Sequence, residues 1–291
     1  MYDKLNAKEG GNLMNCTEKL ALNIRYETAK LIQNRGYGHL GSMSIIETLA
    51  VLYDRHINFN ISNPNWEKRD WFILSKGHSC ASYYAVLALK GFFSREELKN
   101  FNQNGGNLPS HPNRKKTLGV DCTTGSLGQG ISQAVGIALG LKIQKKSQYV
   151  YCIVGDGECN EGEVWEAFLM AIKYKLDHLI IFIDNNKKQS DGKISTISGY
   201  VNYEKVMDSL GFYTQMVNGH DINEIDEAIC NAKRQKDKCS IIVLDTIKGC
   251  GIPYLEKLES NHHIKLTDKK IENAFIQYIK ELEEKYELEI K

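Results

Sequence analysis

Two short polar signatures interrupt long apolar stretches of this chain. Gly155-Asp156-Gly157 closes the run Tyr149–Val154, and Asp184-Asn185-Asn186 closes Leu179–Ile183. One carboxylate and one amide oxygen brought together suit a small hard cation, with phosphate oxygens completing an octahedron. The Gly157 N–H, close to the start of the next helix, is placed to meet a phosphate. A dinucleotide fold is the rival, but no G-x-G-x-x-G follows a strand. An acid between the glycines would also repel pyrophosphate unless a metal intervened. A second chemistry-bearing set is the histidines. His39, His78 and His111 lie in Gly- or Pro-containing loops and His262 in a late loop. Imidazole takes and returns protons near neutral pH, which makes it the side chain best suited to moving protons on hydroxyls and carbonyls. His56, His178 and His220 read as solvated surface residues.

The elements that must position these residues follow from the hydrophobic pattern. Glu18–Gln33 has helical spacing after Thr17, an expected N-cap. Ile45–Tyr53 and Ser82–Leu89 read as helices, and Trp71–Leu74 as a short strand ending in Ser75-Lys76-Gly77-His78. Gly128–Lys142 is a small-residue helix. Then strands and helices alternate: strand Tyr149–Val154, helix Glu163–Tyr174, strand Leu179–Asp184, helix Val201–Leu210, strand Gly211–Val217, helix Ile222–Arg234 and strand Ser240–Thr246. Continuous β-branched runs separated by helices predict an α/β fold, a parallel β-sheet with helices on both faces. In such a right-handed β-α-β unit both polar signatures fall at the carboxyl edge of the sheet, where ligands of open α/β folds bind. Thr267–Lys285 is a charged helix whose face of Ile271, Phe275 and Ile279 is expected to dock on the outside.

With 37 Lys plus Arg against 36 Asp plus Glu in 291 residues, the net charge is +1. That balance disfavours nucleic acid or an anionic membrane as a partner. The longest apolar runs are far too short to span a bilayer. Met1–Asn15 has no apolar core of a signal peptide, so a cytoplasmic protein is expected. The eight cysteines are scattered without a CxxC and read as reduced thiols. Residues 1–291 are expected to form a single domain, with an N-terminal extension over about 1–16 and a helical tail over about 267–291.

The GDG and Asn-Asn pairing resembles the signature of thiamine diphosphate enzymes, and further stretches resemble the transketolase family in its order. They are Gly38-His39-Leu40-Gly41, Leu74-Ser75-Lys76-Gly77-His78, Leu108-Pro109-Ser110-His111-Pro112, Thr123–Gly130 (TTGSLGQG), Asp184–Gly192 (DNNKKQSDG) and Thr246–Gly251 (TIKGCG). The resemblance runs from about Ala21 to His262. It implies the diphosphate-binding fold of that family, binding thiamine diphosphate and Mg²⁺, with Ca²⁺ or Mn²⁺ able to substitute. Asp156, Asn186 and the Lys188 carbonyl would hold the metal. His78, Gly155, Gly157 and His262 would meet the diphosphate, and Gly125 and Leu127 the aminopyrimidine. His39, His111 and His262 would line the substrate channel, and Glu161 would link paired sites across a dimer. Leu40 and Ser126 stand where the family usually has Pro, and Asn261 where it often has an aromatic residue.

Full-length members continue into a pyrimidine-binding domain that carries the activating glutamate and the grip on the sugar phosphate. The resemblance therefore implies the N-terminal subunit of a split transketolase, acting on sugar phosphates and completed as a heterotetramer by a C-terminal subunit. The alternatives are a deoxyxylulose-phosphate-synthase-like enzyme, against which the Ser-Lys-Gly-His78 and Pro-Ser-His111-Pro loops speak, and a non-catalytic regulatory paralogue.

Overall fold

The computed structural model describes residues 14–285; the extension expected over 1–16 and the end of the tail lie largely outside them. Helix α1 (Cys16–Arg35) starts with a capping box. The Asn15 side chain accepts from the Glu18 N–H at 2.9 Å, and the Glu18 carboxylate accepts from the Asn15 N–H at 2.8 Å. The expected cap, Thr17, lies inside the first turn and donates its hydroxyl to Asp54 at 2.6 Å. Gly36, at φ 79°, ends α1 in a left-handed conformation that glycine adopts without strain. Strand β1 (Tyr37–His39) and helix α2 (Ile46–Val51) follow, α2 running on as a π-helical turn over Leu52–His56. Next come β2 (Trp71–Leu74), α3 (Cys80–Leu89), α4 (Gln129–Ile143), β3 (Val150–Gly155), α5 (Gly162–Lys173) and β4 (Leu179–Asn185). A small hairpin of β5 (Lys188–Gln189) and β6 (Gly192–Lys193) leads to α6 (Ile194–Ile197), α7 (Tyr203–Leu210), β7 (Tyr213–Asn218), α8 (Ile222–Lys233) and β8 (Ser240–Asp245). Helix α9 (Pro253–Glu256), β9 (His263–Lys265) and α10 (Lys269–Lys285) complete the described chain.

The five-stranded sheet has the order β2-β3-β4-β8-β7, every neighbouring pair parallel. Every residue of β3 and β4 is buried, as the continuous apolar runs require when both faces are covered. The alternation of the pleat divides these side chains between two layers. Tyr151, Ile153, Ile180 and Phe182 pack with α1, α2, α3 and α8; Cys152, Val154, Ile181 and Ile183 pack with α4, α5 and α7. Strand β7 begins at Tyr213 rather than Gly211, because Gly211 at φ 102° caps α7. Helix α10 buries Phe275 and Ile279 in the layer that holds α1, as the tail's apolar face predicts, while Ile271 is only partly covered. Strands β1 and β9 form a separate antiparallel ribbon beside the carboxyl edge. All eight cysteines are free. Among the described residues no helix is long and apolar enough to cross a membrane.

A buried ion pair fastens the layer of α1 and α2 to the loop after β8. The Arg25 guanidinium pairs with Glu47 and donates to the Cys250 carbonyl at 2.7 Å. Glu47 also meets His220 Nδ1 at 3.2 Å, and His220 Nε2 accepts from the Ile247 N–H at 2.9 Å. His220, expected to be a solvated surface residue, is instead a half-buried link in this chain of contacts. Arg25→Met leaves the buried Glu47 carboxylate with His220 alone, and the expected loss is about 3–5 kcal/mol. Urea denaturation checks this; an unchanged midpoint would show that the pair does not fasten the loop.

Candidate active site

The two polar signatures meet at the carboxyl edge, as the β-α-β geometry requires. Gly155 of β3 is the register partner of Asp184 of β4, and the Asp156 N–H donates to the Asp184 carbonyl at 3.1 Å. The Asp156 carboxylate accepts from the backbone N–H groups of Gly157 (2.8 Å) and Lys187. The Gly157 N–H, expected to await a phosphate, is therefore committed to its neighbour's carboxylate. Lys187 at φ 66° turns the chain so that Asn186 and Lys188 face the same cleft as Asp156. The Asn186 amide donates to Asp184 at 2.9 Å, which fixes its oxygen toward the Lys188 N–H at 3.2 Å. The Lys188 carbonyl accepts from Lys248 Nζ at 2.7 Å. His78, Leu127, Gly155, Gly157, Glu161 and His262 line this cleft too.

Asp184, wholly buried, is the anchor of these turns. It accepts from Lys76 Nζ, from Ser44 Oγ at 2.7 Å, from Asn186, and from Thr246 Oγ1. Lys76 also donates to the Gly41 carbonyl at 3.0 Å. Burial works against the Asp184 charge, but Lys76 and then the hydrogen bonds hold its carboxyl below the ordinary range. Asp156 and Lys248 are left in opposite difficulty. Burial and then Asp184 push the Asp156 carboxyl up; burial and then Lys76 push the Lys248 ammonium down.

Sequence reasoning named the exposed Glu161 and passed over Glu158, only 2% exposed. Glu158 accepts from Ser75 Oγ at 2.6 Å and from the N–H groups of Gly128 (2.9 Å) and Gly155 (3.1 Å), joining three glycine-rich turns. Glu161 instead sits at the N-cap position of α5 without capping it. Lys76 and Lys248 stand inside two of the family motifs, yet a lysine in a glycine loop reads as solvated. Lys187 and Lys188 are tied down rather than free: Lys187 Nζ reaches Asp245, and Lys188 Nζ reaches the carbonyls of Glu256 and Leu258.

The histidines form one cluster. The His39 ring lies 5.5 Å from His78, 6.3 Å from His111, 5.3 Å from His262 and 4.8 Å from His263; His78 and His262 are 4.7 Å apart. His111 packs against Gly125, where a Cβ would come within 3.3 Å of its ring. Burial and then His263 lower His39 to about 4, burial and then Lys248 lower His262 to about 3, and His78 is pushed well down by burial and Lys76. Burial lowers His111 as well. All four are neutral at pH 7, able to accept a proton or to donate a hydrogen bond without carrying charge. His262 Nδ1 stands 3.1 Å from Lys248 Nζ.

A cofactor-sized anion with a divalent cation fits these groups. The Ser42 and Ser79 hydroxyls, in the turns that carry Gly41 and His78, are buried without a partner. A Cβ on Gly41 would approach His78 Nε2 and Ser79 Oγ to 3.0 Å, and one on Gly77 would approach Thr124 Oγ1 to 2.9 Å, so only glycine lets these turns close.

The fold and this edge define an α/β ligand-binding domain of the thiamine diphosphate type. The family described as "Transketolase, thiamine diphosphate binding domain" matches residues 16–290, and the chain belongs to it. It is 44% identical to the 6-deoxy-6-sulfo-D-fructose transketolase subunit of Clostridium sp. (strain MSTE9), over 89% of this chain and 94% of that one. It is 35% identical to an apulose-4-phosphate transketolase subunit of Actinobacillus succinogenes, over 84% of this chain and 90% of that one. Among solved structures, transketolase from Campylobacter jejuni superposes with a TM-score of 0.83 at 32% identity, covering 91% of this chain but 43% of that chain.

The depressed imidazoles set a pH dependence. His39, His78, His111 and His262 bind protons more weakly folded than unfolded, where the value is about 6.5. Stability from these groups is thus complete above that value and is lost as pH falls toward about 4, the folded value of His39. Raised carboxyls such as Asp156 act in the opposite direction, so the comparison must be with variants. In the ligand-free chain, His39→Asn and His262→Asn should flatten the loss of denaturation midpoint between about pH 6.5 and about 4. Parallel profiles for variants and wild type would refute the assignment.

Proposed function

We propose that this chain is the diphosphate-binding, N-terminal subunit of a heteromeric transketolase. With a C-terminal partner subunit carrying the pyrimidine-binding domain, it binds thiamine diphosphate and Mg²⁺. The pair transfers a two-carbon ketol unit from a ketose, phosphorylated or otherwise anionic, to an aldose. The observation that carries this reading is the convergence of Asp156, Asn186 and the Lys188 carbonyl beside two buried lysines and four neutral histidines.

Asp156, Asn186 and Lys188 offer three oxygens to an octahedral cation, leaving other positions for phosphate oxygens. Lys248, with the unpartnered Ser42 and Ser79 hydroxyls, suits the diphosphate. Gly125 and Leu127 fit the aminopyrimidine, and Glu161, exposed at the rim, fits a contact between paired sites. When bound, thiamine diphosphate supplies the carbanion-stabilising centre that cleaving a ketose between C2 and C3 demands. The chain's own part is to take and return protons. His39, His111 and His262, held neutral, accept a proton from a donor hydroxyl and give it back to an acceptor oxygen. The relatives named as subunits span nearly the same length as this chain, which supports a separate partner.

Three outcomes test the reading. The isolated chain should show no ketol transfer and gain it with its partner; robust turnover alone would contradict the split arrangement. Asp156→Ala and Asn186→Ala should each weaken Mg²⁺-dependent cofactor binding, followed by calorimetry, since each removes one of three protein ligands. In the assembled enzyme, His39→Ala and His111→Ala should lower kcat/KM by about 10²–10⁴-fold with little change in cofactor affinity. Loss of cofactor with turnover retained at saturation would reverse their assigned role.

A further inference from the structure

A second group of chemistry-bearing side chains lies away from the cleft, between the end of α2 and α8. His56, expected to be a solvated surface residue, has a side chain only 6% exposed. Its Nε2 stands 2.6 Å from Asp226 Oδ1, and the free thiol of Cys230 completes the group. These ligand atoms, one nitrogen, one oxygen and one sulfur, lie within 4.8 Å of one another. The Tyr151 hydroxyl donates to the His56 carbonyl at 3.3 Å. Tyr151 sits near the start of β3, whose other end, Gly155, reaches the cleft.

Local structure brings the three together. Asp226 and Cys230, four apart on α8, are neighbours on one side of that helix. The π-helical turn that ends at His56 is closed by the Ile57 N–H donating to the Leu52 carbonyl at 2.8 Å. Such turns are rare and recur at functional sites. Arg55 is held from two sides: its Nε donates to Thr17 Oγ1 at 2.7 Å and its Nη1 to Asp226 Oδ2 at 2.6 Å. This fixes the carboxylate and leaves Oδ1 turned to the imidazole, as an outer partner does when it orients a metal ligand. Lys233, further along α8, is the other cation facing the group. Its ammonium donates to the His56 carbonyl at 3.3 Å and lies over the rings of Tyr149 and Tyr151 at 5.1 and 5.6 Å, outside the ligand set. Burial and then Lys233 lower His56, which keeps the imidazole neutral at pH 7. Burial works against the Asp226 charge, but Arg55 and then His56 hold its carboxyl below the ordinary range.

We propose that His56, Asp226 and Cys230 form a zinc site that fastens the end of α2 to α8. A mixed nitrogen, oxygen and sulfur set selects a borderline transition ion over Mg²⁺, which takes oxygen ligands. One thiolate and one carboxylate neutralise the double charge of the ion. On binding, the Cys230 thiol gives its proton to solvent and the imidazole hydrogen moves to Nδ1, so that Nε2 bonds to the metal. Nothing is oxidised or reduced. Water takes the fourth tetrahedral position. Nitrogen and oxygen ligands of one zinc ion stand about 3.3 Å apart, so the His56–Asp226 pair must part by less than about 1 Å. The site shares no residue with the cleft and does not depend on the transketolase reading.

The test uses the full chain, freed of metal, with Co²⁺ as the probe and Zn²⁺ as the competitor. One equivalent of Co²⁺ should give the absorption of a tetrahedral ion bound to thiolate, and Zn²⁺ should abolish it. Cys230→Ser should lose the sulfur-to-metal band, and His56→Gln should bind Co²⁺ at least about tenfold more weakly. Cys16→Ser and Cys250→Ser, which change the other two cysteines that are not buried, should retain the band. Asp156→Ala, at the cleft, should retain it as well. Zn²⁺ should raise the denaturation midpoint of wild type and leave that of Cys230→Ser unchanged. If Cys230→Ser does not fold, His56→Gln decides in its place. No thiolate band at equimolar Co²⁺, or a band that persists in Cys230→Ser or at full affinity in His56→Gln, overturns the site.

Discussion

Two buried charges of opposite sign, each short of a partner, govern the carboxyl edge of this sheet. Asp184 is fully compensated, gathering Lys76, Ser44, Asn186 and Thr246 from four separate segments. That compensation commits Lys76 to Asp184, whose own charge still bears on Asp156. Asp156 is consequently pushed toward its neutral form, and Lys248 toward its own, although the two lie in one cleft. A buried carboxylate repelled by its neighbour calls for a cation, and a buried ammonium beside a second ammonium calls for an anion. The proposed ligand, thiamine diphosphate with a divalent metal, would supply both at once. The turns around the cleft are built to close over such a ligand: Glu158 binds three of them together, and Gly41 and Gly77 let them approach.

Everything outside the cleft serves to hold those turns in register. The parallel sheet aligns the ends of β2, β3, β4 and β8, so that residues far apart in sequence emerge at one level. The Arg25–Glu47–His220 chain then fixes the loop after β8, and with it Lys248, to the opposite helical layer. The β1–β9 ribbon closes the side of the histidine cluster. Rigidity at the edge thus comes from buried polar contacts, while the free energy of folding comes from the two apolar layers beneath.

Much of this is legible in the sequence because the signals are local. Continuous apolar strands, alternating with amphipathic helices, dictate a sheet covered on both faces, and the GDG and Asn-Asn turns then must share an edge. What the sequence conceals is long-range pairing. Asn15 rather than Thr17 caps α1, because Thr17 is drawn to Asp54 on another element. Glu161 and Glu158 are both glutamates and close in sequence, and only the packing of Ser75 and Gly128 shows which is buried. Lys76 and Lys248 look like solvated loop lysines until Asp184 and the Lys188 carbonyl arrive from elsewhere. His263 reaches His39 only because β9 pairs with β1.

The most direct measurement is made on Lys248→Met, comparing the stability of the ligand-free protein with its Mg²⁺-dependent affinity for thiamine diphosphate. Lys248 is buried, its ammonium meets the Lys188 carbonyl and His262, and among the described residues no carboxylate is bonded to it. Removing an unpaired buried charge should leave the ligand-free denaturation midpoint unchanged or higher, while cofactor affinity falls at least about tenfold, the loss of one charge-assisted contact. A variant that is destabilised without ligand yet binds the cofactor as tightly as wild type would contradict the account, because the lysine would then belong to the scaffold and not to the site.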